Sequence, residues 1–127
     1  MKKIILTQNA PAPIGPYSQA VESGNFLFCS GQIAIDPASG QVLTGDLKIQ
    51  TEQVMKNIDA VLKAGGLSFR HVIKTTIYLT NMADFTTVNE IYGKYFPEQP
   101  PARSTVAVAG LPKGVNVEIE VLAAKGS

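Results

Sequence analysis

Val115-Asn116-Val117-Glu118-Ile119-Glu120-Val121 alternates branched apolar and polar residues without a break. A period of two sets Val115, Val117, Ile119 and Val121 on one face of a strand, and Asn116, Glu118 and Glu120 on the other. Such a strand belongs to a sheet with one covered face and one polar or mixed face. Two further stretches divide the same way. In 72–79, Ile73, Thr75, Ile77 and Leu79 oppose Val72, Lys74, Thr76 and Tyr78; in 103–108, Ser104, Val106 and Val108 oppose Arg103, Thr105 and Ala107. Turning the greasier set of each strand toward a helical layer places Arg103, Thr105, Glu118 and Glu120 together on the opposite side of the sheet.

The covering layer is legible between the strands. Leu47, Val54, Ile58, Val61 and Leu62 recur at three- and four-residue steps, after Asp46, a good N-cap residue, and before Gly65-Gly66, where glycine accepts a left-handed cap. A second stripe, Phe85, Val88, Tyr92, Tyr95 and Phe96, begins near Asp84 and is stopped by Pro97, Pro100 and Pro101. Upstream, short strands are expected near 3–6 and 18–23, separated by a loop containing Pro11, Pro13, Gly15 and Pro16. Gly24-Asn25 then reads as a tight hairpin into Phe26-Leu27-Phe28-Cys29-Ser30. The order strands, helix, strand, helix, strands gives an α+β fold, a two-layer sandwich with a mixed sheet and both helices on one face.

At 127 residues the chain is expected to form a single domain, 1–127, able to bury about two thirds of its unfolded surface. Hydrophobic residues at 45% and charged residues at 17% argue against disorder. A net charge of +1 argues against binding nucleic acid through a broad basic field. Cys29 alone cannot close an intramolecular disulfide, and one cysteine with one histidine cannot build a structural zinc site. The apolar run after Lys2-Lys3 is too short for a signal peptide, and no stretch is long enough to span a membrane, so a cytoplasmic protein is expected.

The segment Ala102 to Ala109 is small and apolar around a single charge, Arg103. A guanidinium cannot be neutralised by deprotonation, so it needs a partner or a ligand anion, and its planar fork matches a carboxylate. A glutamate nearby could hold water or move a proton beside that anion. Together these residues outline a small-acid site, and a mixed second face rich in small residues suits burial against another subunit. Cross-strand charge pairs on a solvated face are the plainer reading of the same pattern.

Other residues have equally plain alternatives. His71 fits a capping or exposed position, and Cys29 fits a small apolar core residue. Gly31, after Ser30 at a strand end, permits close approach of a ligand or forms a bulge. Tyr17 is a loop aromatic suited to substrate contact or to packing, and Asn89 beside its helix stripe is an amide for the surface or for a neighbouring loop.

Ala10 through Ala20, Ser30-Gly31-Gln32-Ile33, Pro101-Ala102-Arg103-Ser104 and Val117-Glu118-Ile119-Glu120 together resemble the RidA/YjgF family, in order and spacing over essentially the whole chain. The resemblance implies a chorismate-mutase-like homotrimer with ligand clefts between subunits. It also implies hydrolysis of reactive enamines and imines, such as 2-aminoacrylate and 2-iminopropanoate, to 2-keto acids and ammonia, a form of metabolite damage control. No metal or organic cofactor is implied. Arg103 would grip the substrate carboxylate, and Glu118 would orient or activate water. Tyr17, Ser30, Gly31, Asn89 and Thr105 match lining positions, whereas Glu120 matches no functional one.

Many relatives carry cysteine where this chain has Thr105, so a thiolate mechanism is closed to it. Its hydroxyl can still hydrogen-bond water or a carboxylate oxygen. An imine carbon is electrophilic enough for positioning and electrostatics to serve without a covalent intermediate. Two other classes stay open: a non-catalytic trimeric metabolite-binding regulator, and, ranked last on charge, an endoribonuclease or translation inhibitor.

Overall fold

Asp46 begins the first helix by accepting from the amides of Lys48 at 2.8 Å and Ile49 at 3.4 Å. The computed structural model, which describes residues 2–126, runs this helix, α1, from Leu47 to Ala64. Its end is a Schellman closure: the amides of Gly66 and Leu67 reach the carbonyls of Lys63 and Leu62. The left-handed residue is Gly66, at φ +79°, and not Gly65. The second helix, α2, covers Phe85–Lys94 after a short turn over Met82–Asp84 capped by the Asn81 side chain.

The strands are β1 (Lys2–Ile5), β2 (Ala20–Ser23), β3 (Phe26–Cys29), β4 (Val72–Leu79), β5 (Ala102–Ala107) and β6 (Val117–Ala124). They form one mixed sheet in the order β1-β2-β3-β6-β4-β5, antiparallel except for the parallel pair β4–β5. The fold is therefore α+β, as the element order predicts. Gly24 at φ +59° turns the β2–β3 hairpin, pairing Ser23 with Phe26; positive φ at the first loop residue alone is the signature of a type II′ turn.

Val54, Met55, Ile58 and Leu62 of α1 and Val88 of α2 pack with Leu27, Ile77, Leu79, Val117 and Ile119 of the sheet in one core. Buried amides of α1 also fasten the loops around the sheet. Gln50 donates to the Asn116 side chain at 2.8 Å and accepts from the Asn116 amide at 2.9 Å. Asn57 donates to the carbonyls of Ile33 and Ile35 at 3.1 and 3.0 Å. Satisfied in this way, they contribute geometry without the penalty of an orphaned buried amide. The two segments they fix lead into Glu118 and out of Gly31.

Two expected face assignments are corrected. A register shift between Val72 and Lys74 in the β4–β6 pairing turns Val72 into the core and leaves Ile73 exposed, because a bulge reverses the alternation upstream of it. More consequential is β5. Its parallel register pairs Thr75 with Arg103 and Ile77 with Thr105, and Thr75 and Ile77 are buried beneath the helices. Arg103 and Thr105 therefore lie on the helix side, while Glu118 and Glu120 lie on the uncovered side. Assigning β5 by its greasier set fails because it is an edge strand: its Val106 stays exposed on the uncovered face, and the aromatic rings of α2 receive the arginine.

Candidate functional site

On the helix side, Arg103 crosses from the edge strand to α2. Its Nη1 donates to Asn89 Oδ1 at 2.7 Å, and its guanidinium carbon stands 5.3 Å from the Phe85 ring centre and 5.1 Å from that of Tyr92. Tyr92 is itself fixed by a 2.7 Å hydrogen bond with Thr75. One guanidinium nitrogen is thus committed to Asn89, and the flat ion is steadied by two π faces, an arrangement that pre-orients the fork while leaving the side chain exposed. Thr105, two residues along the same face, has a buried Oγ1 with no hydrogen-bond partner, alone among the buried side-chain polar atoms of the described residues. A buried hydroxyl rarely stays unpaired, which makes this atom a candidate to bond a group from outside the chain.

On the uncovered side, a cavity of about 730 Å³ opens between the proline-rich loop, the segment after β3 and the start of β6. Tyr17, Ser30, Gly31 and Glu118 all line it. Ser30 Oγ donates to the Ser18 carbonyl at 2.6 Å and its amide to the Gln19 carbonyl at 2.9 Å, tying the loop to the end of β3. Gln32 then exchanges backbone hydrogen bonds with Ile119 at 2.9 and 3.2 Å, which presses Gly31 against Glu118. The lack of a side chain matters there: a Cβ on Gly31 would lie 3.0 Å from Glu118 Cδ and overlap a carboxylate oxygen. Burial, and then the neighbouring Glu120 charge, push the Glu118 carboxyl above its ordinary range.

Gly31→Ala is therefore expected to displace the Glu118 side chain, costing about 1 kcal/mol of stability through crowding. Any activity that depends on that carboxylate should fall at least tenfold. Melting temperature together with kcat/KM checks this, since a fold-wide defect would lower the first far more.

The candidate residues thus form two groups that one chain does not bring together: Arg103, Asn89 and Thr105 at the α2 edge, and Tyr17, Ser30, Gly31 and Glu118 at the cavity. His71 caps instead, its Nδ1 accepting from the Ser68 amide at 3.1 Å. Cys29 is buried, and burial pushes its thiol up to about 12, which excludes a ready thiolate.

Two contributors escaped sequence reasoning. Gln19 is buried and donates to the carbonyls of Thr7, Ala10 and Pro11 while accepting from the Thr7 amide, so it shapes the loop that carries Tyr17. Lys113 lines the cavity from a left-handed backbone at φ +57°.

The family model described as Endoribonuclease L-PSP matches residues 7–125. A RutC family protein of Pyrococcus horikoshii is 56% identical over 125 residues, covering 98% of this chain and 99% of that protein. The 2-iminobutanoate/2-iminopropanoate deaminase of Mus musculus is 48% identical over 126 residues, covering 99% and 93%. Among solved structures, E. coli TdcF with bound serine superposes with a TM-score of 0.93 at 42% identity, covering 98% of this chain and 99% of that one.

Proposed function

The chain belongs to the Endoribonuclease L-PSP family, and on that premise we propose that it is a 2-iminobutanoate/2-iminopropanoate deaminase, working in clefts between the subunits of a homotrimer. The observation that carries the reading is the pre-oriented Arg103 fork, whose shape suits a carboxylate and which stands on the opposite face of the sheet from Glu118. Each half lacks what the other supplies. A neighbouring subunit that sets its β5 edge over the cavity would join them, and the small, exposed residues of β5 suit such a contact. The serine bound to TdcF supports a small amino-acid-like ligand.

In the joined cleft, Arg103 holds the carboxylate of a 2-imino acid, with Asn89 and the two rings fixing its plane. Glu118 accepts a proton from water as the oxygen adds to the imine carbon, and the nitrogen takes up a proton. That proton comes from Glu118, which then takes the hydroxyl proton of the tetrahedral intermediate and passes it to the amine as ammonia leaves, giving the 2-keto acid; one water is consumed per ammonia released. Thr105 supplies a hydroxyl to the bound carboxylate or to the water. A raised carboxyl helps here, because a base titrating nearer neutrality can also return its proton. No helix among the described residues is long and apolar enough to cross a membrane.

The test is direct. 2-Aminoacrylate is generated from serine by a dehydratase, and decay of the imine is followed with and without the protein. Acceleration is expected; none, under conditions where the mouse deaminase accelerates decay, overturns the reading. Saturable 2-keto acid binding without turnover would favour the regulatory reading. The name of the family model favours testing RNA cleavage as a second reading, and nuclease activity lost in Arg103→Ala would support it.

A further inference from the structure

Glu120 has no part in the mechanism above, yet it is tied to the cavity by geometry. In the antiparallel β4–β6 register Tyr78 stands directly across from Glu118, and Thr76 across from Glu120. All four side chains share the uncovered face, and the Tyr78 hydroxyl reaches diagonally to donate a hydrogen bond to the Glu120 carboxylate. We propose that Tyr78 and Glu120 form a positioning pair, which holds a charged carboxylate beside Glu118 and so directs the working proton to Glu118. The proposal rests on the deaminase reading for the use of that proton, but not for the pair itself.

A carboxylate charge held near a second carboxyl disfavours ionisation of that carboxyl. Glu120 receives a phenolic hydrogen bond that holds its carboxylate in place, and its charge disfavours ionisation of Glu118. The same bond, first among several causes, pushes the Tyr78 phenol upward, so it remains a donor at neutral pH. The remaining charged or titratable groups near Glu118 come from other elements. Lys74 on β4 donates to Ser104 at 3.0 Å, while Lys113 from the turn before β6 and Tyr17 from the proline-rich loop line the cavity. Arg103 of the same chain is across the sheet, whereas in the joined cleft a neighbouring subunit's Arg103 also faces Glu118, in wild type and both variants alike.

The experiment follows the Glu118 carboxyl by carbon-13 NMR during a pH titration of the intact protein, in wild type, Glu120→Gln and Tyr78→Phe. Glutamine keeps an acceptor for Tyr78 and removes the charge; phenylalanine keeps the charge and removes its anchor. In both variants Glu118 is expected to titrate lower, by about half a pH unit in Glu120→Gln and by less in Tyr78→Phe. The acid limb of kcat/KM should move down with it. An unchanged or raised Glu118 titration in Glu120→Gln overturns the pair, and that variant decides alone should Tyr78→Phe fail to fold. Because the NMR readout needs no turnover, failure of the deaminase reading would show separately, as absent imine hydrolysis with the titration shifts intact.

Discussion

Arg103→Ala lowers kcat/KM for a 2-imino acid by about 10²- to 10⁴-fold, the expected cost of two charge-assisted hydrogen bonds to a carboxylate at roughly 1.5–3 kcal/mol each. The loss should appear mainly in KM, because the arginine grips a carboxylate that is present throughout the reaction. Stability should hardly change. Arg103 lies exposed on an edge strand, and its contacts with Phe85 and Tyr92 are worth about 1 kcal/mol at such a site. Arg103→Lys recovers little, since an ammonium cannot hold Asn89 and present a planar fork together. Steady-state kinetics with a thermal melt checks all three statements, and a kcat/KM within threefold of wild type for Arg103→Ala removes the residue from the site.

Glu118→Gln should act on the other kinetic parameter. Loss of a positioned base costs about 10²- to 10⁴-fold in kcat, while the affinity for a 2-keto acid is kept or improved, because glutamine does not repel the ligand carboxylate. Stability supplies an independent sign. The folded Glu118 carboxyl is raised by burial and by Glu120, so between its unfolded and folded ranges the folded state binds more protons, and stability falls as pH rises through that window. At neutral pH, where the charged form is penalised, Glu118→Gln should therefore melt above wild type, with the gap closing as pH falls below the ordinary carboxylate range. Wild-type activity runs oppositely, disappearing as pH falls through the raised Glu118 range and the base becomes protonated. A variant that melts lower at pH 7 and keeps its rate would contradict both roles.

The layer order and both helices were legible because their signals are local: period-two alternation in 115–121, a stripe between Asp46 and Gly65, prolines after Phe96. The site residues were legible one by one. What the chain does not advertise is the side of the sheet on which β5 stands. That depends on the pairing of Thr75 with Arg103, a contact between distant segments, and an edge strand exposed on both faces carries no burial pattern to reveal it. The bulge at Val72 hid Ile73 for the same reason, since one inserted residue reverses the alternation. Gln19 and Asn57 escaped because a polar residue looks the same in sequence whether it faces water or buried loop carbonyls.

The central claim is that one working site takes Arg103 from one subunit and Glu118 from its neighbour. Subunits carrying Arg103→Ala alone and Glu118→Gln alone, each at least about a hundredfold down in kcat/KM, are mixed in equal amounts, unfolded and refolded together, and assayed for imine hydrolysis at substrate far below KM. In a randomly mixed trimer about one cleft in four receives both native residues, so the account predicts recovery of roughly a quarter of wild-type activity. Mixed trimers as inactive as either parent would contradict it and place both residues in a site within a single chain.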